Sequence, residues 1–177
     1  MSDAPSATAW QKAASFAAAR HDGQYRKDGR TPYVAHPMRV SLIILHKFEV
    51  RDETALVAAL LHDLLEDTTT DYDDVAEQFG VAVADAVAAL TKDSRLPEDQ
   101  RELAYDRQLT AASWQARLVK LADVCDNFCD AASESERRKI AGKAQRAIVC
   151  AGSSPELQPA IQVVAALITN YATLQAP

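Results

Sequence analysis

The sequence predicts an all-α protein, and three observations support this fold class. Apolar residues recur at the three-to-four-residue spacing of an amphipathic helix through most of the 177 residues. No segment shows the alternating apolar and polar pattern of a β-strand. Glycine, proline, serine and threonine mark short turns between the apolar segments, and no linker is long enough to separate domains. We therefore expect residues 1–177 to form a single helical domain of eight or nine helices.

Residues that start and stop helices divide the N-terminal part of the chain. Gly23 ends a first Ala-rich segment, and Gly29 and Pro32 belong to a loop that continues to Pro37. Pro37 suits the first position of the second helix, where its missing N–H has no helical partner. Asp52 is a candidate N-cap for the third helix. The helices expected in this part cover residues 7–21, 38–48 and 53–66.

The same reasoning divides the rest of the chain. The three threonines at 68–70 form a turn, and either Thr70 or Asp71 caps a fourth helix that Gly80 ends. Residues 94–97 form a loop, and a Ser-Ser-Pro turn at 153–155 precedes the last helix. The helices expected here cover residues 71–79, 81–90, 98–113, 117–130, 134–151 and 156–174.

Composition narrows the classes of function. The formal net charge of −6 argues against non-specific binding to nucleic acid. No apolar run approaches the roughly 20 residues of a membrane span, and the N-terminus lacks the features of a signal peptide. Three cysteines, an odd number, do not suggest a disulfide framework. These features predict a cytoplasmic protein. An apolar helix face fits a core or a subunit interface equally well, so the oligomeric state is left open.

Charge is distributed unevenly along the chain. Residues 20–47 contain six Lys/Arg against two Asp/Glu, whereas residues 63–106 contain thirteen Asp/Glu against three Lys/Arg. A basic segment combined with an acidic one suits a small polyanionic substrate that is bridged to a cation. Solvated surfaces would give the same counts, so the charge pattern alone leaves both interpretations open.

The segment from His62 to Asp67 carries the strongest chemical signal. Four of its six residues are ionisable: His62, Asp63, Glu66 and Asp67. On a continuous helix, with about 100° of rotation per residue, all four share one side, and leucines occupy the other. Carboxylates held this close together are costly to bury unless positive charge compensates them. A bound divalent metal ion would supply that charge.

Two further residues extend this candidate metal site. His36 immediately precedes Pro37, and Asp123 lies in an apolar helix where an unpaired acid is expensive to bury. Two imidazoles and two carboxylates form a mixed set suited to manganese or another first-row divalent ion. The set holds no thiolate, which argues against a structural zinc site. Cys125 and Cys129, four residues apart, could be a second ligand pair, but we interpret them as small buried hydrophobic residues.

Several motifs occur in the order found in one family. The sequence resembles the HD-domain hydrolases of the RelA/SpoT group, most closely the small stand-alone alarmone hydrolases of the metazoan SpoT-homologue type. The resemblance extends from the first helix to Cys129. The stretches that carry it are HDGQYRKDG (21–29), PYVAHP (32–37), AALLHD (58–63), EDT (66–68), FG (79–80), LTK (90–92), VKLAD (119–123) and Asn127.

The resemblance implies an activity and a role for each site residue. The family removes the 3′-pyrophosphate of guanosine tetra- or pentaphosphate, giving GDP or GTP and pyrophosphate. The implied Mn²⁺ ligands are His36, His62, Asp63 and Asp123, and the implied catalytic pair, which orients and deprotonates water, is Glu66 and Asp67. Arg26 and Lys27 match family positions that hold the nucleotide, and Asn127 matches one that contacts the sugar. Four further basic residues are candidates for the 5′-phosphates on charge and rough position alone: Lys92, Arg137, Arg138 and Lys143. We interpret any single one of them as a solvated surface residue, and leave open which residues bind the 5′-phosphates.

The chain departs from the family pattern after Asp123. Basic residues are missing at Val124 and Cys129, Asp126 is acidic, and no tyrosine is found near Gly142. We expect these changes on the nucleotide-binding side of the site. They leave open whether the purine is guanine or adenine, and whether tetra- or pentaphosphate is preferred. There are two alternative functions. One is another HD-type phosphatase that acts on NADPH or nucleotides, and the other is a non-catalytic alarmone-binding module. The chain ends near Pro177, so we expect a hydrolase without synthetase activity.

Overall fold

The computed structural model of the chain describes residues 8–174. Within this range it is helical apart from loops and one isolated bridge between Tyr25 and Pro32. The α-helices are α1 (Ala9–Arg20), α2 (Ala35–His46), α3 (Glu53–Leu61), α4 (Leu64–Asp67), α5 (Tyr72–Phe79), α6 (Val81–Leu90), α7 (Glu98–Ala111), α8 (Trp114–Asp130), α9 (Glu134–Ala151) and α10 (Gln158–Leu174). The all-α prediction is confirmed. The start of the first expected helix, Ala7, lies outside the described residues.

The predicted capping residues act as expected. The Asp52 carboxylate accepts a hydrogen bond from the Ala55 backbone N–H at the start of α3. Asp71, not Thr70, caps α5, and it forms a reciprocal capping box with Asp74. Gly80 ends α5 with a φ of 87°, a conformation that is open mainly to glycine. Local sequence therefore sets where these helices begin and end.

Two helix starts differ from the prediction. Helix α2 begins at Ala35, which places Pro37 at its third position and not its first. This position is tolerated because the first-turn N–H groups have no intrahelical acceptor. Helix α8 begins at Trp114, three residues early, because the Ser113 hydroxyl accepts from the Ala116 N–H and caps it.

The predicted helix over residues 53–66 is interrupted, which raises the number of helices. Helix α3 ends at Leu61, His62 and Asp63 form a turn, and the single-turn helix α4 follows. The expectation that four ionisable groups lie along one continuous helix is therefore wrong. Adjacent residues of an α-helix do not face each other. The interruption lets His62 and Asp63 point to the same place, with Nε2 of His62 3.1 Å from Oδ1 of Asp63.

Helix α8 lies at the centre of the molecule and packs against α2, α3, α9 and α10. Its apolar residues Leu118 and Leu121 are fully buried, and α3 contributes Leu60 and Leu61 to the same core. Because α2, α3 and α8 contact one another, side chains from their facing surfaces meet inside the protein. No helix between residues 8 and 174 is long and apolar enough to cross a bilayer.

Candidate functional site

The four predicted metal ligands come together where α2, α3 and α8 meet. The His36 Nε2 atom lies 3.2 Å from Oδ1 of Asp123 and 3.6 Å from Oδ2 of Asp63. The His62 Nε2 atom lies 3.9 Å from the same Asp123 oxygen. Ligand atoms bonded at about 2.1 Å to one ion lie roughly 3 to 4 Å from each other. The separations in the structure therefore fit a single shared cation.

The orientation of His62 gives independent support for a metal. Its Nδ1 atom is 2.8 Å from the Ala59 carbonyl oxygen, so Nδ1 carries the proton and donates it. The Nε2 atom is then a lone-pair acceptor, and it is buried without a hydrogen-bond partner. A buried polar atom of this kind is costly unless it is satisfied. A divalent ion at the centre of the cluster would satisfy it.

His36 is held by a carboxylate on the side away from the cluster. Its Nδ1 atom lies 2.7 Å from Asp126, whose two oxygens also accept hydrogen bonds from Arg39. Burial disfavours the charged imidazole, but hydrogen bonds with Asp123 and Asp126 outweigh it and raise the His36 pKa to about 9. A carboxylate behind a ligating histidine is the usual arrangement in metal sites.

The two acidic ligands are also held in place by neighbours. Lys120 donates to Oδ2 of Asp123 at 2.7 Å, and the Tyr33 hydroxyl donates to Oδ2 of Asp63 at 2.7 Å. Burial would raise the pKa of Asp123, but Lys120 and His36 lower it well below the usual value. Burial and the Asp63 carboxylate raise the pKa of Tyr33, so its hydroxyl stays a donor. Both carboxylates are therefore held in place, and the lowered pKa keeps Asp123 ionised.

Glu66 and Asp67 lie at the opening of the same cavity, which has a volume of about 290 Å³. Both residues are exposed to solvent. Glu66 Oε2 is 3.4 Å from the backbone nitrogen of Lys92. Helix α4 thus places two carboxylates beside the four-residue cluster, where water has access.

The residues expected to bind nucleotide line one side of this cavity. Arg26 donates to Asn127 and to Asp130, each at 2.9 Å, and its guanidinium lies 5.5 Å from the centre of the Tyr33 ring. Lys27 is exposed and forms an ion pair with Glu136. Asn127 also donates to Oδ1 of Asp123, so this side of the cavity contacts the metal cluster directly.

Some of the sequence-based placements are wrong. Asp126 was expected on the nucleotide side, but it is buried behind His36, because α8 turns it toward α2. Of the four basic candidates for the 5′-phosphates, Lys92 and Lys143 line the cavity, whereas Arg137 and Arg138 do not and bond to the Ala131 carbonyl and to Glu134, in line with the surface interpretation. Cys125 is buried in the core as expected, whereas Cys129 is exposed.

Tyr33, Lys120 and Tyr105 also line the cavity, although none of them was predicted as a site residue. For Lys120, and for Asp126 behind His36, the sequence does contain a signal that could have identified the residue. Lys120 is three residues from Asp123 on the same apolar helix, where a buried acid needs a cationic neighbour. Asp126 is a second acid on that helix, so it needs cationic partners as well. Nothing local in the sequence marks Tyr105.

The described part of the chain is helical, and residues of α2, of α8 and of the turn after α3 form one His–Asp cluster. These features define the class of protein: a helical domain with a candidate metal centre. Residues 13–147 match the family model described as the HD domain. The chain belongs to the HD-domain family, and the resemblance found in the sequence is confirmed.

Curated relatives and a solved structure narrow the comparison. The guanosine-3′,5′-bis(diphosphate) 3′-pyrophosphohydrolase MESH1 of Danio rerio is 42% identical over 117 residues, which cover 66% of this chain and 65% of the relative. MESH1 of Homo sapiens is 43% identical over 120 residues, 67% of each chain. The structure of a metazoan ortholog of SpoT, described as hydrolysing ppGpp, is similar at a TM-score of 0.77 and 29% identity. That likeness covers 93% of this chain and 97% of the other.

Proposed function

We propose that this chain is a manganese-dependent hydrolase that removes the 3′-pyrophosphate of guanosine 3′,5′-bis(diphosphate), or of a closely related purine alarmone. One observation carries the proposal: four candidate metal ligands and two accessible carboxylates, Glu66 and Asp67, converge on one cavity. A metal site alone would also serve a binding protein. The additional carboxylates supply the base that hydrolysis needs. The identity to MESH1 enzymes supports the choice of substrate.

The residues of the cluster fit a divalent ion, and His36, His62, Asp63 and Asp123 would hold it. Such an ion lowers the pKa of a bound water and polarises a phosphoryl oxygen. The mixed imidazole and carboxylate set is the basis for proposing Mn²⁺. Asp126 accepts a hydrogen bond from His36, while Tyr33 and Lys120 donate to Asp63 and Asp123, and these bonds fix the side chains before substrate arrives.

Glu66 and Asp67 are proposed to act on the attacking water. One carboxylate orients the water and takes its proton while the water oxygen bonds to the inner phosphorus of the 3′-diphosphate. The bond between that phosphorus and the 3′-oxygen breaks, and the 3′-oxygen is protonated to a hydroxyl. The products are GDP and inorganic pyrophosphate.

Arg26, Lys27 and Asn127 are proposed to hold the nucleotide. The Arg26 guanidinium already lies beside the Tyr33 ring, which suits stacking on a purine. Asn127 bonds to Asp123, so a sugar bound by Asn127 would bring its 3′-substituent close to the metal ligands. This arrangement accounts for hydrolysis at the 3′ position.

The test is a product assay with a panel of nucleotides. The purified protein, loaded with Mn²⁺, is incubated with ppGpp, pppGpp, ppApp, NADPH and dNTPs, and the products are separated by chromatography. We expect pyrophosphate and GDP from ppGpp. Release of orthophosphate from NADPH or dNTPs, without turnover of an alarmone, would instead indicate another phosphatase. Binding without any turnover would indicate a non-catalytic module.

Two broader expectations also remain proposals. We propose that residues 1–177 form one hydrolase domain, supported by a hydrophobic core that extends from Ala13 on α1 to Val164 on α10. We propose the cytoplasm as the compartment, since three cysteines do not form a complete set of disulfides.

A further inference from the structure

Three lysines from three different segments meet at one end of the cavity. Lys92 follows α6, Lys120 lies on α8 and Lys143 lies on α9, and all three line the cavity. The Lys92 and Lys120 ammonium groups lie 5.0 and 5.5 Å from the centre of the Tyr105 ring. Two of the three cations therefore make cation–π contacts with the same aromatic ring.

This lysine cluster (Lys92, Lys120 and Lys143) is separate from the side that is proposed to bind the nucleotide. The lysine cluster and Tyr105 line the central cavity itself, which has a volume of about 290 Å³, whereas the small recess that they also share holds only about 10 Å³, the space of one water. Arg26, Lys27 and Asn127 line the central cavity and a second recess of about 130 Å³. Asp123 stands between these two groups of residues, because Oδ2 accepts from Lys120 while Oδ1 accepts from Asn127. A substrate at the metal cluster can therefore extend in two directions.

The lysine cluster carries more positive charge than its neighbours neutralise. Glu102 pairs with Lys92 but also with Arg146, and Asp123 pairs with Lys120 while it belongs to the candidate metal cluster. Across residues 8–174, Lys143 makes no ion pair. Partial burial and the charges of Lys92 and Lys120 lower the pKa of Lys143. An anion placed among these amines would relieve their repulsion.

We propose that the lysine cluster is the subsite for the outer phosphate of the 3′-diphosphate, the end of the substrate that leaves as pyrophosphate. The inference rests on the proposed function and deepens it. With the inner phosphorus at the metal cluster and the nucleoside toward Arg26 and Asn127, the outer phosphate extends past Asp123 toward Lys120. A phosphomonoester at the metal cluster has no second phosphate to place among the three amines. The cluster thereby selects pyrophosphoryl esters over simple phosphate esters.

The decisive variant is Lys143→Met, compared with Lys139→Met as a matched control. Lys139 lies one turn earlier on α9, is exposed and does not line the cavity, so the control removes the same charge from the same helix. Affinity of the Mn²⁺-loaded protein for inorganic pyrophosphate and for orthophosphate is measured by calorimetry. We expect Lys143→Met to weaken pyrophosphate binding roughly tenfold or more, the loss typical of one charge-assisted hydrogen bond. Orthophosphate binding should change little, and Lys139→Met should match the parent protein.

Kinetics distinguish the two ends of the substrate. If the lysine cluster holds the outer 3′-phosphate, Lys143→Met should reduce kcat/KM equally for substrates with one, two or three 5′-phosphates. A loss that grows with the number of 5′-phosphates, with pyrophosphate binding unchanged, would assign the cluster to the 5′ end and overturn the proposal. Equal pyrophosphate affinities of Lys143→Met and Lys139→Met would also overturn it.

The binding arm separates this proposal from the proposed function. If pyrophosphate binding depends on Lys143 but no alarmone is hydrolysed, the subsite stands and the proposed activity fails. Lys143→Arg keeps the positive charge and should recover most of the affinity. Far-UV circular dichroism of each variant excludes unfolding as the cause.

Discussion

The two sides of the cavity are stabilised in different ways. The side that we call the metal wall consists of the candidate ligands His36, His62, Asp63 and Asp123, and each of these four side chains hydrogen-bonds a neighbour outside the set. The side that we call the nucleotide wall consists of Arg26, Lys27 and Asn127, which we propose to hold the nucleotide. Its two cations pair with Asp130 and Glu136, and Lys27 remains 84% exposed.

The comparison distinguishes a wall whose side chains are already in position from a wall whose side chains can exchange their protein partners for substrate. The metal wall is built from packed helices, so the core fixes its geometry. Little reorganisation of these side chains is then needed when substrate binds. In the nucleotide wall, the Lys27–Glu136 pair lies at the surface, where such a pair is worth about 0 to 1 kcal/mol. A nucleotide can replace that pair at low cost, whereas the Arg26 side chain is only 12% exposed. We therefore expect substitutions in the metal wall to affect catalysis most, and substitutions in the nucleotide wall to affect mainly substrate affinity.

The largest effect is expected for Asp63→Ala. Removing this carboxylate takes away a ligand and leaves His62 without its neighbour, so metal and activity should be lost together. We expect a loss of Mn²⁺ affinity above the 10- to 100-fold typical of substitutions behind a ligand. Metal content after dialysis and turnover of ppGpp measure the two effects. Asp93→Ala, which removes an exposed loop aspartate, is the control and should keep both. Full metal content in Asp63→Ala would contradict the assignment.

Glu66→Gln should separate chemistry from metal binding. The amide keeps the shape of the side chain but cannot accept the water proton, so kcat should fall by roughly 10²- to 10⁴-fold. Mn²⁺ content should stay at the parent level because Glu66 is not one of the ligands. Glu77→Gln on the exposed face of α5 controls for the loss of charge. A near-parental kcat would remove Glu66 from its proposed role.

Asp126→Asn tests whether the hydrogen bond between Asp126 and His36 contributes to metal affinity. An amide would hold His36 less firmly, and we expect Mn²⁺ affinity to fall about 10- to 100-fold. Asp130→Asn is a close control, since Asp130 also lies on α8 and contacts Arg39 but not a histidine. Titration of Mn²⁺ followed by calorimetry measures both. Equal affinities in the two variants would show that Asp126 has only a structural role.

Lys27→Ala should produce a smaller effect, confined to the nucleotide wall. Its ion pair with Glu136 is exposed, so the free energy of unfolding should change by less than about 1 kcal/mol. We expect KM to rise several-fold while kcat is retained, which is the pattern of lost uniform binding. Urea denaturation and steady-state kinetics test the two parts. A fall in kcat without a change in KM would place Lys27 in the chemical step.

The smallest effect concerns the loop that carries Arg26 and Lys27. The Asp28 carboxylate accepts hydrogen bonds from Thr31 and from the Arg30 backbone, and these lower its pKa to about 2. Because the pKa is lowered, the hydrogen bonds to the Asp28 carboxylate stabilise the loop fully at pH values above the ordinary pKa of Asp. This stabilisation is lost only as the pH falls through about 2. Amide exchange at Thr31 should therefore show constant protection from pH 7 to 5, after correction for intrinsic rates. Asp28→Ala should lose that protection at every pH, and parental protection in this variant would contradict the role given to Asp28.

The sequence predicted what depends on local chemistry. Caps such as Asp52 and Asp71 act within three residues, so the starts of the helices that they cap were predicted correctly. The interruption at His62 and Asp63 depends on Tyr33 and His36, which approach from about 30 residues away in the chain. Local helix propensity contains no information about such contacts. The predicted helix therefore continued through the turn.

The geometry of the candidate site was predictable to a similar degree. The sequence proposed His36, His62, Asp63 and Asp123 as a ligand set from their residue types and order, and the structure brings these four side chains together. Lys143 instead could be named only on charge and rough position, as one of four basic candidates for the 5′-phosphates. Its position in the cavity results from how α9 packs on α8, which sequence periodicity does not specify.

The hydrogen bonds from Arg26 to Asn127 and from Asn127 to Asp123 have a thermodynamic consequence. If Asn127 binds the nucleotide as proposed, a nucleotide that displaces the Asn127–Asp123 hydrogen bond changes the bonding of a candidate metal ligand, and the two binding equilibria are linked. Linkage is reciprocal: the factor by which the nucleotide would change the affinity for the metal ion is the factor by which the ion would change the affinity for the nucleotide. The metal affinity of the free protein would then differ from that of the nucleotide complex, and the nucleotide concentration would become one determinant of metal occupancy.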